Sequence, residues 1–240
     1  MTKLVLKVSF VLLAALQSAC ATVCLTPTEI ESNHINQYGS ITLGKAFTRI
    51  ENDVENFKEI DTKEVRTLIN NPEATPFVKT QLYILLAKHF GNIQEIENLI
   101  AAQNDAINAD GFKNIEEKNA YIKFAALTEE RFRKYSKSTP ENFKENAPSS
   151  AQVRFAPSMP YQATKSGYCY IEYDVSAEGR TENLRPLYCT TGHFRVAAMK
   201  NVAEWRFFPK RVDSKNVKDF AQVSKIAFRL TDGCGNLIPQ

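Results

Sequence analysis

Cysteine is the residue type whose number and spacing bear most directly on chemistry in this chain. Cys169 and Cys189 are equally far in sequence from Gly179, and the residues Ala177 to Arg180 around it are typical of a β-hairpin turn. Residues that face each other on antiparallel strands come close enough for a disulfide. We therefore predict a disulfide between these two cysteines, with two buried free thiols as the alternative.

Groups suited to catalysis or metal binding are few. The sequence lacks a G-x-S-x-G nucleophile turn, an H-E-x-x-H zinc motif, paired C-x-x-C motifs and a Gly-rich phosphate loop. Its 3 histidines are His34, His89 and His193. His193 precedes a predicted helix and His89 lies near the end of another, where a cation complements the helix dipole, so structural roles are expected. The sequence predicts a protein that is not an enzyme, with no metal site and no cofactor.

The charge balance argues against a nucleic-acid partner. The chain has 30 Lys and Arg residues against 27 Asp and Glu residues, for a formal net charge of +3. Removing a leader that contains Lys3 and Lys7 would leave 28 basic and 27 acidic residues, a balance of +1. The charges are also scattered along predicted helices, which is typical of solvated helix faces.

Residues 1–21 have the composition of an export signal. Lys3 and Lys7 precede an apolar run from Val8 to Leu16 that ends in small residues. Three outcomes remain open: cleavage before Thr22, a lipoprotein signal with the lipid on Cys20, or an uncleaved membrane anchor. Each outcome directs the rest of the chain out of the cytoplasm.

Either processing route leaves four cysteines for pairing. An even number of cysteines in an exported chain favours disulfides. With Cys169 and Cys189 assigned to each other, a pair between Cys24 and Cys234 follows only by elimination.

The region 28–138 is predicted to be all-α. Apolar residues recur at helical spacing between recognisable start and stop signals, and the connections are short. Short connections favour antiparallel neighbours, so we expect a helical bundle or a stack of helical hairpins; no tetratricopeptide signature recurs at a fixed period. The expected helix starts are Ser40, Asp61, Thr75, Asn92 and Asn114.

A linker and a small α+β region complete the chain. Residues 139–156 are rich in Pro, Ser and Asn, which is typical of a linker. Beyond it, the pattern predicts a helix on one face of a three-stranded antiparallel sheet, and Pro186 predicts that its strand lies at an edge. The expected elements are strands Tyr168–Val175, Leu184–Cys189 and Val223–Leu230 and a helix Phe194–Glu204.

Several motifs in residues 157–232 occur together in a recognisable order. An opening segment Pro157–Ala163 leads to the first strand, and Trp205–Pro209 reads Trp-Arg-Phe-Phe-Pro at the exit of the helix. This order resembles the C-terminal domain family of TonB-type energy transducers. The residues that carry the family pattern, and that are expected to be structural, are Pro160, Gly167, Gly179, Trp205, Phe207 and Pro209.

The resemblance implies a protein partner. In the family the closing strand lies at a sheet edge and adds an extended segment of an outer-membrane transporter as a further strand. Lys225 and Arg229 would protect such an edge from aggregation. The alternative is an edge closed by a neighbouring segment or by a dimer mate. The implied partner-binding residues are Val223, Ser224, Lys225, Ile226, Ala227, Phe228 and Arg229.

Departures from the family pattern leave a second function open. Met159 and Ala156 replace residues that are usual in the family, and a long Pro-rich spacer behind a membrane helix is missing. The resemblance implies envelope transport in the periplasm of a Gram-negative bacterium, with a lipid-tethered or inner-membrane-anchored form as the alternative. The rival is an envelope structural or adaptor protein that recognises its partner with the helical region and uses the other module for docking or dimerisation.

Overall fold

The computed structural model describes residues 24–135, 145–235 and 237–238. The predicted leader, with Cys20 and its three alternative fates, lies outside these residues. The described chain is α+β, as predicted, with six helices in its first half and antiparallel sheets and one further helix in its second half. None of the described helices is both long enough and apolar enough to cross a bilayer.

The helical half begins with a helix that the sequence analysis did not predict. Thr26 accepts a hydrogen bond from the backbone N–H of Glu29, and the Glu29 carboxylate accepts one in return from the backbone N–H of Thr26. This capping box, with Pro27 in the first turn, starts the helix. The helices are α1 Pro27–Tyr38, α2 Ile41–Glu55, α3 Thr62–Ile69, α4 Pro76–Asn92, α5 Ile96–Ala109 and α6 Ile115–Tyr135.

Side-chain caps fix the helix starts that the sequence predicts. Ser40, Asp61 and Thr75 each accept a hydrogen bond from a backbone N–H in the first turn of α2, α3 and α4. Asn114 does the same for the N–H of Glu117 in α6. The predicted restart at Asn92 is wrong, because α4 runs through that residue and α5 begins at Ile96.

The apolar faces of α1 to α5 form one core around α4. Burial of these side chains provides the main stabilisation, since each large aliphatic group contributes about 1.5–3 kcal/mol. The residues of α4 in this core are Val78, Leu82, Leu85, Leu86, Ala87 and Phe90.

The main sheet has three antiparallel strands. They are β2 Gly167–Val175, β3 Thr181–Cys189 and β7 Asp219–Phe228, in the order β3-β2-β7, and α7 Gly192–Ala203 packs on β2 and β3. The position of β3 at an edge agrees with Pro186. Relative to the predicted closing strand, β7 starts four residues earlier and ends at Phe228.

Three two-stranded pairs surround this sheet and were not predicted. They are β1 Ser150–Val153 with β4 Arg206–Phe208, β5 Lys210–Val212 with β6 Lys215–Val217, and β8 Leu230–Thr231 with β9 Leu237–Ile238. Residues 139–156 were expected to be a linker, and the structure describes 145–156 of them. The presence of β1 in this part differs from that expectation. This part is held in place, because Ser149 is buried and donates to Asp219 at 2.6 Å.

The predicted disulfide between Cys169 and Cys189 is present, and the two residues are register partners on β2 and β3 with their Cα atoms 4.1 Å apart. The pair between Cys24 and Cys234 is also formed. It brings the start of α1 next to the β8–β9 hairpin, where the N–H of Leu25 donates to Asp232 at 2.6 Å.

The Cys169–Cys189 register depends on two irregularities that spacing did not predict. Val175 pairs with Thr181, so the turn is centred one residue before Gly179. A regular hairpin from that turn would place Leu187 opposite Cys169. Two register shifts, each adding one residue to β3, move Cys189 into that position instead.

Both faces of the sheet are covered, which differs from the single covered face that the sequence predicts. The odd-numbered residues of β2 pack against α7 and the Trp205 region. The even-numbered residues Tyr168 and Tyr170 pack against Ala120, Tyr121 and Ala125 of α6. The central strand β2 is therefore buried along almost its whole length.

Polar contacts at three places join α6 to the sheet. Near its start, Glu117 accepts a hydrogen bond from the hydroxyl of Tyr168. In its middle, Lys123 pairs with Glu172 of β2. Near its end, Arg131 donates to Gln222 of β7. The contacts satisfy groups that would be costly to bury alone, and they fix the position of α6 along the sheet.

We predict that Glu172→Gln destabilises the fold at neutral pH but not in acid. Burial alone would raise the pKa of the Glu172 carboxyl, but its contacts with Lys123 and Arg185 outweigh burial and lower that pKa. The carboxylate therefore stabilises the fold above the ordinary glutamate pKa, and this contribution is lost as the pH falls through the folded-state pKa. Urea unfolding should show a loss of about 1–3 kcal/mol at pH 7 that shrinks below about pH 4.

Glu97→Gln is the matched control for this prediction. Glu97 pairs with Arg133 at 3.2 Å, but its side chain is 80% exposed, so its replacement should change the free energy of unfolding little at any pH. A Glu172→Gln deficit that stayed constant between neutral and acid pH would contradict the ion-pair explanation.

We also predict that the covalent link between the two ends of the described chain contributes strongly to stability. The Cys24–Cys234 disulfide closes a loop with a sequence separation of 210 residues. Replacing both cysteines by serine should lower the free energy of unfolding by about 2–5 kcal/mol, because the unfolded chain regains conformational freedom.

Peptide mapping without reductant should recover a Cys24 peptide joined to a Cys234 peptide. A Cys24 peptide joined instead to Cys169 would show that the pairing is wrong.

Candidate functional site

The strand β7 has one partner in the main sheet. Its residues pair with β2 from Gly167 opposite Phe228 to Val175 opposite Asp219. Among the described residues no strand pairs with its other side, so β7 is an edge strand. An antiparallel edge strand directs every second N–H and C=O group away from the sheet.

The residues predicted to bind a partner divide between the two faces of β7. Ile226 and Phe228 are buried in the core beneath α7. Ser224 lies on the same face, with its hydroxyl 3.0 Å from that of Tyr173. These three residues hold the strand in place, so they are less suited to contact a partner than the prediction implied.

The other face of β7 looks towards the helices. Val223, Lys225 and Ala227 alternate with the core residues and pair opposite Glu172, Tyr170 and Tyr168 of β2. Ala227 is exposed, whereas Val223 and Lys225 are half-buried. Arg229, predicted as part of the strand, lies just beyond its end. The prediction of one strand is thus confirmed for Val223 to Phe228 and wrong for Arg229, and it did not separate the roles of the two faces.

A groove of about 520 Å³ runs between this face of β7 and the helices. One wall comes from the sheet and the other from α2, α4, α5 and α6. The volume is in the range of ligand and peptide sites, and much of the lining is apolar. Residues that shape it include Leu85, Phe124, Phe132, Tyr170, Lys225 and Ala227.

Ion pairs tie the end of β7 to the helical wall. Arg229 lies 3.3 Å from Glu51 and 3.7 Å from Glu55, both on α2. Glu55 also pairs with Lys88 of α4 at 2.6 Å. These side chains are partly exposed, so each pair alone contributes little to stability, but together they fix the distance between α2 and the strand.

Lys225 differs from these paired cations. Its Nζ lies 4.2 Å from the centre of the Tyr168 ring, a cation–π contact. Within the described residues no carboxylate lies within 4.0 Å of this Nζ. Desolvation lowers the pKa of Lys225, and the more distant carboxylates Glu51 and Glu117 oppose that shift. The Lys225 residue is half-buried as a whole and lines the groove, but its ammonium group is desolvated.

The residues that carry the family pattern have structural positions. Trp205 and Phe207 are buried beneath the sheet, and the Trp205 indole N–H donates to Asn201 at 3.1 Å. Pro160 accepts a hydrogen bond from Ala163 in the turn before β2, and Pro209 separates β4 from β5.

Two of these residues require glycine. Gly179 has a φ of +79°, and an added Cβ would lie 2.0 Å from the carbonyl oxygen of Phe207. At Gly167 an added Cβ would come within 2.3 Å of the Phe194 ring. Both glycines allow close approach between the sheet and its neighbours.

The helical side of the groove was missed by sequence analysis. Glu51 and Glu55 are four positions apart and so share one face of α2. This pattern is also typical of a solvated face. No local feature indicates that this face lies beside the strand Asp219–Phe228, which is far away in the sequence.

The histidines lie apart on three elements: His34 on α1, His89 buried on α4 and His193 on α7. In the described part of the chain, no group of three or more His, Cys, Asp or Glu side chains is arranged to hold a metal ion.

Comparison with known proteins does not assign this chain to a family. No family model matches the chain, and no curated protein matches it. A solved structure that resembles part of it is the solution NMR structure of the Pseudomonas aeruginosa TonB CTD, with 19% identity and a TM-score of 0.30. That likeness covers 35% of this chain and 89% of the other. It is too weak to carry a functional argument, so the candidate site depends on the geometry of β7.

We predict that hydrogen exchange will distinguish the free side of β7 from its paired side. Amides of β2 between Tyr168 and Tyr173 should exchange slowly, because both sides of that strand are paired. Every second amide between Val223 and Ala227 should exchange at least about tenfold faster. Amide exchange followed by NMR measures this directly. Uniform protection along β7 would mean that its outer side is already occupied.

Proposed function

We propose that this chain binds an extended segment of a protein partner in the cell envelope by adding it as a strand to β7, without catalysing a reaction. The observation that carries the proposal is the outer side of β7, which opens into the groove beneath the helices. Main-chain hydrogen bonds to the strand would supply affinity, and side-chain contacts in the groove would supply selectivity.

The sheet is well suited to accept a further strand. Its order β3-β2-β7 leaves β7 outermost, while α6 and α7 hold the two faces of the sheet rigid. A rigid edge loses little conformational entropy when a guest segment binds. The ordering cost then falls mainly on the guest.

The proposed location is the periplasm or another envelope compartment. Two disulfides are compatible with an oxidising compartment. The motifs between Pro157 and Leu230 that resemble TonB C-terminal domains favour an outer-membrane transporter as the partner. Participation in envelope transport is part of the same proposal.

Site-specific photocrosslinking tests the proposal. A benzophenone amino acid at Ala227 would stand at the rim of β7, and the same residue at Val196, which is 73% exposed on α7, is the control. In a Gram-negative bacterium that exports the protein, the Ala227 probe should crosslink to one continuous segment of an envelope protein, identified by mass spectrometry. The Val196 probe should not crosslink to it.

Two other outcomes would count against strand addition. Crosslinks only between copies of the chain would favour the rival, an adaptor that dimerises through β7. The same partner crosslinked equally by both probes would place recognition elsewhere on the molecule.

A further inference from the structure

The groove beside β7 has a chemical preference that follows from its charges. Among its described lining residues, Lys88, Arg154, Lys225 and Arg229 are cationic, and Glu51 and Glu55 are anionic, which leaves an excess of two positive charges. An extended guest in this groove would therefore meet a positive local potential.

The two carboxylates are already engaged by two of the cations. Arg229 contacts both Glu51 and Glu55, and Lys88 contacts Glu55. Arg154 lies over the Trp205 ring, with 4.8 Å between its guanidinium carbon and the ring centre. Lys225 and Arg154 both lack a carboxylate within 4.0 Å among the described residues, and of these two cations only Lys225 lies on β7.

The position of Lys225 on the strand determines which guest residue can reach it. Lys225 lies on the face of β7 towards the helices, opposite Tyr170 and between Val223 and Ala227. A guest strand paired with β7 would place every second side chain on this same face. The Cβ atoms of directly opposed residues would lie about 4.5–5.5 Å apart, within reach of the lysine side chain.

Apolar side chains form part of the groove that faces this position. Leu85, Phe124 and Phe132 line the helical wall of the groove. Guest side chains two positions before and after the one opposite Lys225 would point towards such surfaces. The groove thus places a β7 cation without a carboxylate partner opposite a partly apolar wall.

From this geometry we propose that the guest carries a carboxylate that pairs with the Lys225 ammonium, flanked at alternate positions by apolar side chains that enter the groove. The proposal rests on strand addition at β7, and it specifies which segments are accepted. The carboxylate belongs to an Asp or Glu side chain, because a C-terminal carboxylate would have no apolar residue after it. Pairing would give a desolvated ammonium group a counter-charge, and an ion pair there is stronger than at an exposed site.

Selection from a library of random linear peptides tests this preference. The full disulfide-bonded chain, Lys225→Gln and Lys215→Gln would each be used as bait; Lys215 is exposed on β6 and is the matched control. The unaltered chain and Lys215→Gln should select peptides with an acidic residue at a fixed distance from alternating apolar residues. Lys225→Gln should select peptides without this requirement.

Binding of one selected peptide then measures the pair. Fluorescence anisotropy should show roughly tenfold or greater weakening when the acidic residue becomes its amide, because the charge-assisted hydrogen bond to the ammonium group is lost. The same change should have little effect on binding to Lys225→Gln, whereas Lys225→Arg should retain the preference. Circular dichroism of each variant checks that it is folded.

The outcomes separate this inference from the proposed function. Alternating apolar peptides that bind at β7 without any acidic preference would overturn the role of Lys225 and leave strand addition standing. Failure to select any peptide, or selected peptides whose binding is unaffected by groove substitutions, would overturn strand addition itself.

Discussion

The contact between α6 and the sheet determines how the two halves of this molecule relate to each other. Tyr168 and Tyr170 of β2 bury their rings against α6, and Glu117 and Lys123 of that helix pair with groups on the same strand. Apolar burial supplies the attraction, and the polar pairs select one position along the strand. The helix α6 also packs against the earlier helices. Its docking on the sheet therefore sets the width of the groove beside β7.

The groove therefore depends on a tertiary contact and not only on the module that contains the sheet. Its helical wall holds Glu51 and Glu55, whose pairs with Arg229 lie at the end of β7. An isolated sheet module would keep the edge strand and lose this wall. Selectivity, in this arrangement, belongs to both halves of the chain, whereas the main-chain hydrogen-bonding capacity belongs to β7.

Features with local causes could be predicted from the sequence. The starts of α2, α3 and α4 follow from capping side chains, and the three strands of the main sheet follow from aromatic and β-branched runs separated by turns. The capping box at Thr26 and Glu29 was a local signal for α1 that was overlooked. The closing strand was placed correctly at an edge, but its division into core-facing and groove-facing residues required the sheet register.

Features with distant causes could not be predicted. Lys123 and Arg131 have the appearance of solvent-facing cations on an amphipathic helix, and only the fold brings them to Glu172 and Gln222. The two bulges of β3 are similar: the correct cysteine pair emerged from a symmetric count, although the hairpin is not symmetric about Gly179. The sequence predicted one covered face of the sheet, so neither the burial of nearly all of β2 nor the helix that covers its second face was predicted.

The Cys24–Cys234 bond changes how the molecule would respond to mechanical load. A pull exerted at Cys24 passes directly through the sulfur atoms to the β8–β9 hairpin, which hydrogen-bonds to Ser166 at the start of β2. The intervening helices lie within the covalent loop and are bypassed by the tension. A tether at that end would therefore transmit its strain to the sheet that bears β7 without first unravelling the helical half.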